Sequence, residues 1–247
     1  LTPPAAEAGS PQVLSCAHPT LTLDGSGSST GSQYVYQWNT GDGNILLGDT
    51  TLQPQVDQSG FYTLQVTDQV NGCISESTVQ ILLDQNTPEA NPGPGPTLTC
   101  AVTTIALDGT ASSTGPQFSY HWLTSNGQII SGDSTLTPVI TEPGTYSLVV
   151  TNVNNGCVST DDVVVLENVE PPAAAAGFES TLTCTTTSTD LNIDGSSVGT
   201  EYSYEWTTNG GLILSGSDTP VPTVGDPGVY DLLVTNNSTL CTKTASV

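Results

Sequence analysis

The stretch Gly60-Phe-Tyr-Thr-Leu-Gln-Val-Thr-Asp-Gln-Val-Asn-Gly-Cys73 returns as Gly144-Thr-Tyr-Ser-Leu-Val-Val-Thr-Asn-Val-Asn-Asn-Gly-Cys157 and again as Gly228-Val-Tyr-Asp-Leu-Leu-Val-Thr-Asn-Asn-Ser-Thr-Leu-Cys241. The offset is constant, 144 − 60 and 228 − 144 both equalling 84. Each copy alternates an apolar set (Tyr62, Leu64 and Val66 in the first) with mostly polar or small residues. That period of two predicts a strand with one face on a core. A fixed offset of this size divides the chain into three like modules, 1–84, 85–168 and 169–247. In the first two, Asn-Gly offers a tight turn just before the cysteine.

Modules of about 80 residues have thin cores and usually need cross-links. The six cysteines come as Cys16/Cys73, Cys100/Cys157 and Cys184/Cys241, with 73 − 16, 157 − 100 and 241 − 184 all equalling 57. We expect one disulfide inside each module. The alternative joins Cys73 to Cys100 across a linker and leaves Cys16 and Cys241 for neighbouring repeats. The spacing fits no zinc pattern. Either pairing implies an oxidising, extracytoplasmic setting.

Within the first copy, strands are expected near 11–17, 20–24, 33–39, 44–48, 51–56, 60–68 and 73–83, separated by Gly/Ser/Asp/Thr clusters. No segment has a sustained helical period. Seven short strands per module predict an all-β chain of three tandem immunoglobulin-like β-sandwiches in an extended array. Trp38, Trp122 and Trp206, in the third strand, and Tyr62, Tyr146 and Tyr230 are the expected core. Tyr34, Phe118 and Tyr202 stand near that strand's start, where an exposed ring would suit sugar stacking. Proline-rich runs at residues 1–10, 87–96 and 170–177 read as stiff joints.

The residues Trp38-Asn-Thr-Gly-Asp-Gly43 followed by Gly60-x-Tyr62-x-Leu64-x-Val66-Thr67 resemble the polycystic-kidney-disease (PKD) domain pattern. The wider frame, ending in Asn-Gly-Cys, is similar to repeats of giant surface adhesins in gliding Bacteroidota. The resemblance implies a PKD/immunoglobulin-like sandwich serving as stalk, spacer or adhesin. The Gly-Asp-Gly turn is lost in the second and third copies, so a role for Asp42 there is not expected to be general.

Lys243 is the single basic side chain against 24 acidic ones, for a net charge of −23. Phosphate binding needs clustered Lys and Arg, so nucleic acid and anionic membrane surfaces are excluded as partners. No apolar run is long enough for a membrane helix. The sequence starts without Met or a signal peptide, and Val247 falls in register with Val163 and Val79, inside a strand. We therefore expect a mature or excised piece of a longer repeat protein, extracellular or on a cell surface.

Chemistry has little to work with. His18 and His121 fall at different repeat positions, Asp161/Asp162 occur once, and no nucleophile–base set recurs. An enzyme is not expected, and neither is a cofactor. Asp24, Asp108 and Asp194, in Asp-Gly-Ser/Thr loops, with Asp68 and Asp84 near module ends, are the calcium candidates. The plainer expectation is that Asp-Gly makes an Asx turn. Thr50 and Ser134 follow an Asp in an exposed turn and resemble O-glycosylated sites of secreted Bacteroidota proteins. Asn236 and Asn237 begin N-glycosylation sequons.

Together the residues favour a non-catalytic structural segment of a surface fibre, stalk or adhesin, open to self-assembly into a filament. Its expected partners are other copies or neighbouring repeats, with surface glycans or proteins as further candidates. The competing reading is a spacer or a carbohydrate- or protein-binding module of a secreted hydrolase.

Overall fold

The computed structural model describes residues 2–247; Leu1, the first residue of the proline-rich run-in, lies outside the described residues. Every regular element among them is a strand. The first repeat forms β1 (Gln12–Ser15), β2 (Leu21–Thr22), β3 (Tyr34–Thr40), β4 (Ile45–Leu47), β5 (Gln55–Val56), β6 (Gly60–Asp68) and β7 (Ile74–Asp84). These make a four-stranded sheet ordered β1-β7-β6-β3 and a three-stranded sheet ordered β2-β5-β4. The seven expected strands are all present: β1, β2, β4 and β5 are shorter than expected, β6 has the expected bounds, and β3 and β7 lie one residue further on.

The second repeat forms β8 (Thr97–Thr99), β9 (Ile105–Ala106), β10 (Phe118–Thr124), β11 (Ile129–Ser131), β12 (Val139–Ile140), β13 (Gly144–Asn152) and β14 (Val158–Asn168). Their order is the same: β10-β13-β14-β8 and β11-β12-β9. The third repeat has β15 (Thr189–Asp190), β16 (Tyr202–Asn209), β17 (Leu212–Ser215), β18 (Thr223–Asp226), β19 (Val229–Asn236) and β20 (Thr242–Ser246), ordered β16-β19-β20 and β15-β18-β17. The chain is thus three tandem immunoglobulin-like sandwiches. Contacts gather it into two compact units. One takes in the first repeat as far as Asn91, with Thr110–His121 and Leu148–Asp161; the other is Pro92–Gly109, Trp122–Ser147 and Asp162–Val247.

The direction of the first strand sets where its cysteine lies. β1 runs parallel to β7, with Gln12 opposite Ile81 and Ser15 opposite Asp84, while β7 is antiparallel to β6. β8 lies parallel to β14 in the same way, with Thr97 opposite Leu166 and Thr99 opposite Asn168. A parallel first strand carries the chain to the far end of the last strand. The third repeat has no counterpart of β1 among its described residues. A cleft of about 310 Å³ in this repeat is lined by Leu182, Leu191, Val224, Tyr230 and Val247 among others.

The alternation in β6 sorts its side chains as expected: Tyr62, Leu64 and Val66 are fully buried, and Phe61 faces outward. They share a core cluster with Val56 of the opposite sheet and Leu23, just past β2, and with Trp38 and Ile81. The third repeat does the same with Trp206, Tyr230, Leu232, Val234 and Val224. Each Trp also donates its indole N–H to a backbone carbonyl thirteen residues on: Trp38 to Thr51 at 2.9 Å, Trp122 to Thr135 at 2.9 Å and Trp206 to Thr219 at 3.1 Å. The ring therefore fills the space between sheets and leaves no polar atom unpaired.

Each core tyrosine ties a corner. Tyr62 Oη donates to Gln58 O at 2.5 Å and accepts from Asn44 N at 2.9 Å. Tyr146 donates to Glu142 O at 2.6 Å and Tyr230 to Asp226 O at 2.5 Å. This is the tyrosine corner of immunoglobulin-like sandwiches. Burial pushes the Tyr62 and Tyr146 hydroxyls above their ordinary pKa. A Cβ on Gly43 would fall 2.4 Å from the Tyr62 hydroxyl, and one on Gly127 or Gly211 meets its own tyrosine as closely. That close approach explains why glycine stands at this position in all three copies.

Asp42 corrects part of the sequence reading. Its Oδ1 accepts from Phe61 N at 2.9 Å, and Asn126 Oδ1 makes the same bond to Thr145 N at 2.9 Å. An amide oxygen serves as well as a carboxylate here, so the role spans two copies and lapses only at Gly210. The proline-rich runs are likewise part of the sandwiches. Ala5 N and Glu7 N donate to Ser29 Oγ and Ser28 Oγ at 2.8 and 2.9 Å, Glu89 and Asn91 to Ser113 and Ser112 at 2.9 Å each, and Ala173 and Ala175 to Ser197 and Ser196 at 3.0 and 2.8 Å.

Candidate functional site

The cysteines do not pair within a repeat. Cys16 is bonded to Cys157 and Cys100 to Cys241, both 141 residues apart, with Cα–Cα distances of 4.9 and 5.0 Å. Cys73 and Cys184 are free. The separation of 141 is one repeat, 84, plus the 57 expected of an internal bridge. The cause is the parallel pairing of β1. Cys16 follows Ser15, which is level with Asp84 at the end of β7, whereas Cys73 precedes that 11-residue strand. At about 3.3 Å per residue the two lie roughly 35 Å apart, far beyond the ~7 Å a disulfide spans. The alternative of Cys73 with Cys100 is overturned as well. What the first cysteine can reach is the second cysteine of the following repeat.

Around the first cystine the two repeats interlock, within one compact unit. Ala17 N donates to Asn155 O at 2.9 Å. The Asn155 amide donates to Asp84 Oδ1 at 2.9 Å and to Asn86 O at 3.0 Å, while its Oδ1 accepts from Cys157 N at 2.9 Å. One side chain thus shapes the cysteine loop and grips the preceding repeat. Asn155, first, and Asn86 hold the Asp84 carboxyl below its ordinary pKa. Cys157 is wholly buried. Gly156 (φ 72°) packs so closely that an added Cβ would sit 2.5 Å from Ala17 Cβ.

The second joint, inside the other unit, is a looser version. Ala101 N reaches Thr239 O at 3.3 Å, and Thr239 Oγ1 replaces the asparagine, 3.3 Å from Cys241 N. Leu240 occupies the glycine position at φ 55°, alone among the described non-glycine residues in having positive φ. A left-handed backbone costs a side-chain-bearing residue about 1–2 kcal/mol. Leu240→Gly should therefore stabilise the third repeat by about 1 kcal/mol, little being lost because Leu240 is 54% exposed. Calorimetry should show its transition rising by about 5 °C; an unchanged or lowered transition would remove the strain argument.

The Asn-Gly before Cys73 is no two-residue hairpin. It ends a five-residue connection from β6 to β7, in which Gly72 N returns to Asp68 O at 2.7 Å. Asn155, Asp84, Asn86 and Ala17 escaped sequence reading as a joint. The recurring Asn-Gly-Cys was the available signal, and it was absorbed by the turn it makes.

The calcium candidates have simpler duties. Asp24 Oδ1 caps Ser26 N at 3.0 Å, an Asx turn, and Ser26 lowers its pKa. Asp68 Oδ1 accepts from Val70 N at 2.9 Å, while Asp108 and Asp194 are exposed. Among the described residues no three of His, Cys, Asp and Glu gather closely enough to hold a metal ion. Thr50, Ser134 and Asn237 are exposed; Asn236 is half-buried, with Oδ1 accepting from Ser238 N at 2.9 Å. Tyr34, Phe118 and Tyr202 are half-buried, Tyr34 and Tyr202 against their cores. His18, His121, Lys243, Asp161 and Asp162 are exposed, and no helix among the described residues is long and apolar enough to cross a membrane.

No family model matches the chain. Among curated proteins it is 31% identical over 249 residues to the Dyslexia-associated protein KIAA0319 of Homo sapiens, covering 87% of the chain and 23% of that protein. It is 29% identical over 246 residues to the Dyslexia-associated protein KIAA0319-like protein of Mus musculus, again covering 87% and 23%. The chain therefore spans less than a quarter of the length of the curated relatives it matches. Among solved structures an I-band fragment from titin overlays with a TM-score of 0.40 at 11% identity, covering all of this chain and 97% of that one. The N-terminal eight Ig domains of the Down Syndrome Cell Adhesion Molecule overlay at 0.39 and 13% identity, covering 99% of this chain and 41% of that one.

Proposed function

We propose that this chain is a non-catalytic, load-bearing segment of an extracellular repeat protein, its modules at 1–84, 85–168 and 169–247 forming the shaft of a stalk, fibre or adhesin. One observation carries the reading: each of the two cystines ties one repeat to the next. A bridge inside a module stiffens that module alone, whereas a bridge between modules transmits force past the linker. The oxidising setting that cystines need suits the outside of a cell. A surface of charge −23 keeps neighbouring chains apart except where contacts are built for them.

The competing reading, a sugar-binding module, needs exposed rings, and Tyr34, Phe118 and Tyr202 are half-buried. Passage over immobilised polysaccharides tests the choice. A shaft elutes with an unrelated acidic control protein. Retention on one polysaccharide, abolished by Tyr34→Ala or Tyr202→Ala in a folded variant, would make the chain a binding module instead.

A further inference from the structure

We propose that Asn209 is a site of spontaneous covalent modification, losing its side-chain amide through a succinimide to become an aspartyl or isoaspartyl residue while the chain stays folded. The inference rests on the geometry of one loop and not on the load-bearing reading, so the two can fail separately.

The sequence carries four Asn-Gly pairs, beginning at Asn71, Asn126, Asn155 and Asn209. In this dipeptide the asparagine carboxamide is open to attack by the next backbone nitrogen, because glycine puts no Cβ in the way. The local chemistry is alike in all four. What differs is how firmly the fold holds the two reacting groups, the carboxamide and the glycine N–H.

Three pairs are held at both. Gly72 N donates to Asp68 O at 2.7 Å, and Asn71 Oδ1 accepts from Cys73 N at 2.8 Å. Gly127 N donates to Thr124 Oγ1 at 3.0 Å, and Asn126 Oδ1 accepts from Thr145 N at 2.9 Å. Gly156 N donates to Asn152 O at 2.7 Å, and the Asn155 side chain is tied on both its nitrogen and its oxygen in the first joint. At Asn209–Gly210 neither the carboxamide nor the glycine N–H has a hydrogen-bond partner among the described residues.

The cause is a shift of one position. The same threonine recurs as Thr40, Thr124 and Thr208, and its Oγ1 accepts from the N–H of Gly43, Gly127 and Gly211 at 2.8, 3.0 and 3.1 Å. In the second repeat the clamped glycine is the one that follows asparagine. In the third the pair begins one position earlier, so the clamp falls on Gly211 and misses Gly210. Asn209 and Gly210 are both exposed, and a Cβ on Gly210 (φ 82°) would meet nothing within 4 Å. That openness belongs to the loop and not to its place in the chain. Gly41, the counterpart of Asn209 in the first repeat, has a whole repeat after it, and a Cβ there would also meet nothing within 4 Å.

In the reaction Gly210 N gives up its proton and attacks Asn209 Cγ. The carboxamide C–N bond breaks and ammonia leaves, closing a five-membered succinimide. Water then opens the ring. Attack at Cγ gives an aspartyl residue, and attack at the main-chain carbonyl carbon gives an isoaspartyl one. Either product adds a negative charge. The isoaspartyl form also lengthens the main chain by one carbon beside the third tyrosine corner, where Leu212 N donates to Tyr230 Oη at 3.0 Å.

The test holds the folded, oxidised 247-residue chain in warm, mildly alkaline buffer and follows the four pairs by peptide mapping and mass spectrometry. The Asn209 peptide should gain the mass of deamidation, in both aspartyl and isoaspartyl forms, about tenfold faster than the peptides of Asn71, Asn126 and Asn155. That factor is what two hydrogen bonds to be broken first impose on the other three. In denaturant with the cystines reduced, the four rates should converge. An Asn209 that reacts no faster than the other three in the folded chain would overturn the proposal. So would a lead that persists unchanged in denaturant, since the neighbouring residues and not the fold would then set the rate.

Discussion

Pulled from its two ends with both cystines intact, the chain should lengthen to about 280 Å and stop; with the cystines reduced it should reach about 860 Å. The shortest covalent path through the oxidised chain runs fifteen residues to Cys16, across to Cys157, back fifty-seven to Cys100, across to Cys241 and on six to Val247. At about 3.5 Å per extended residue that path gives the shorter length, and the full backbone gives the longer. The two closed loops overlap, because Cys100 lies inside the loop that Cys16 and Cys157 close. No repeat can then be drawn out completely while its neighbours remain laced to it. Three separate internal bridges would behave differently, each shielding the stretch between its own two cysteines and leaving the linkers to extend. Single-molecule stretching with and without a thiol reductant reads the difference directly. An oxidised chain that yields its full length would mean that the cystines do not couple the repeats.

The repeat length, the strand alternation and the residues of the core were legible because they are local facts. Tyr62, Leu64 and Val66 announce their face by spacing alone, and Trp38 and its equivalents recur at fixed positions. The cysteine pairing was not legible, for a reason internal to periodicity. Cysteines at one fixed spacing in every copy recur identically whether each pairs within its copy or one repeat further on. Only the direction of β1 against β7 decides between them, and that is a long-range pairing which four residues, Gln12–Ser15, do not declare. The same limit applied to Asn155. Its local duty, holding the Cys157 loop, was readable as turn chemistry, whereas its grip on Asp84 depends on a neighbour 71 residues away. The role of Asp42 was under-read for the opposite reason: a motif was treated as lost when Asn126 preserved the one oxygen that matters.

Trp206→Ala should abolish the cooperative melting of the third repeat while the first repeat melts as before. Trp206 is 2% exposed and packs with Tyr230, Leu232, Val234 and Val224. Truncating a buried Trp costs about 3–5 kcal/mol, and it also leaves Thr219 O without the indole donor. A module of this size has about 4–12 kcal/mol in all. Within that range the third repeat also carries the strain of the left-handed Leu240. Trp206→Phe separates the two contributions, because it keeps most of the ring volume and loses only the N–H to Thr219. It should cost about 1–3 kcal/mol from the unpaired carbonyl together with a small cavity. Calorimetry should therefore show the full three-part melt for the parent, a lowered third component for Phe and none for Ala. Retention of an unchanged third component in Trp206→Ala would mean that the ring is not the plug between the sheets. The Cys100–Cys241 cystine should keep the unfolded third repeat attached to its neighbour in that variant, so that the second repeat loses an ordered partner but not its covalent tether.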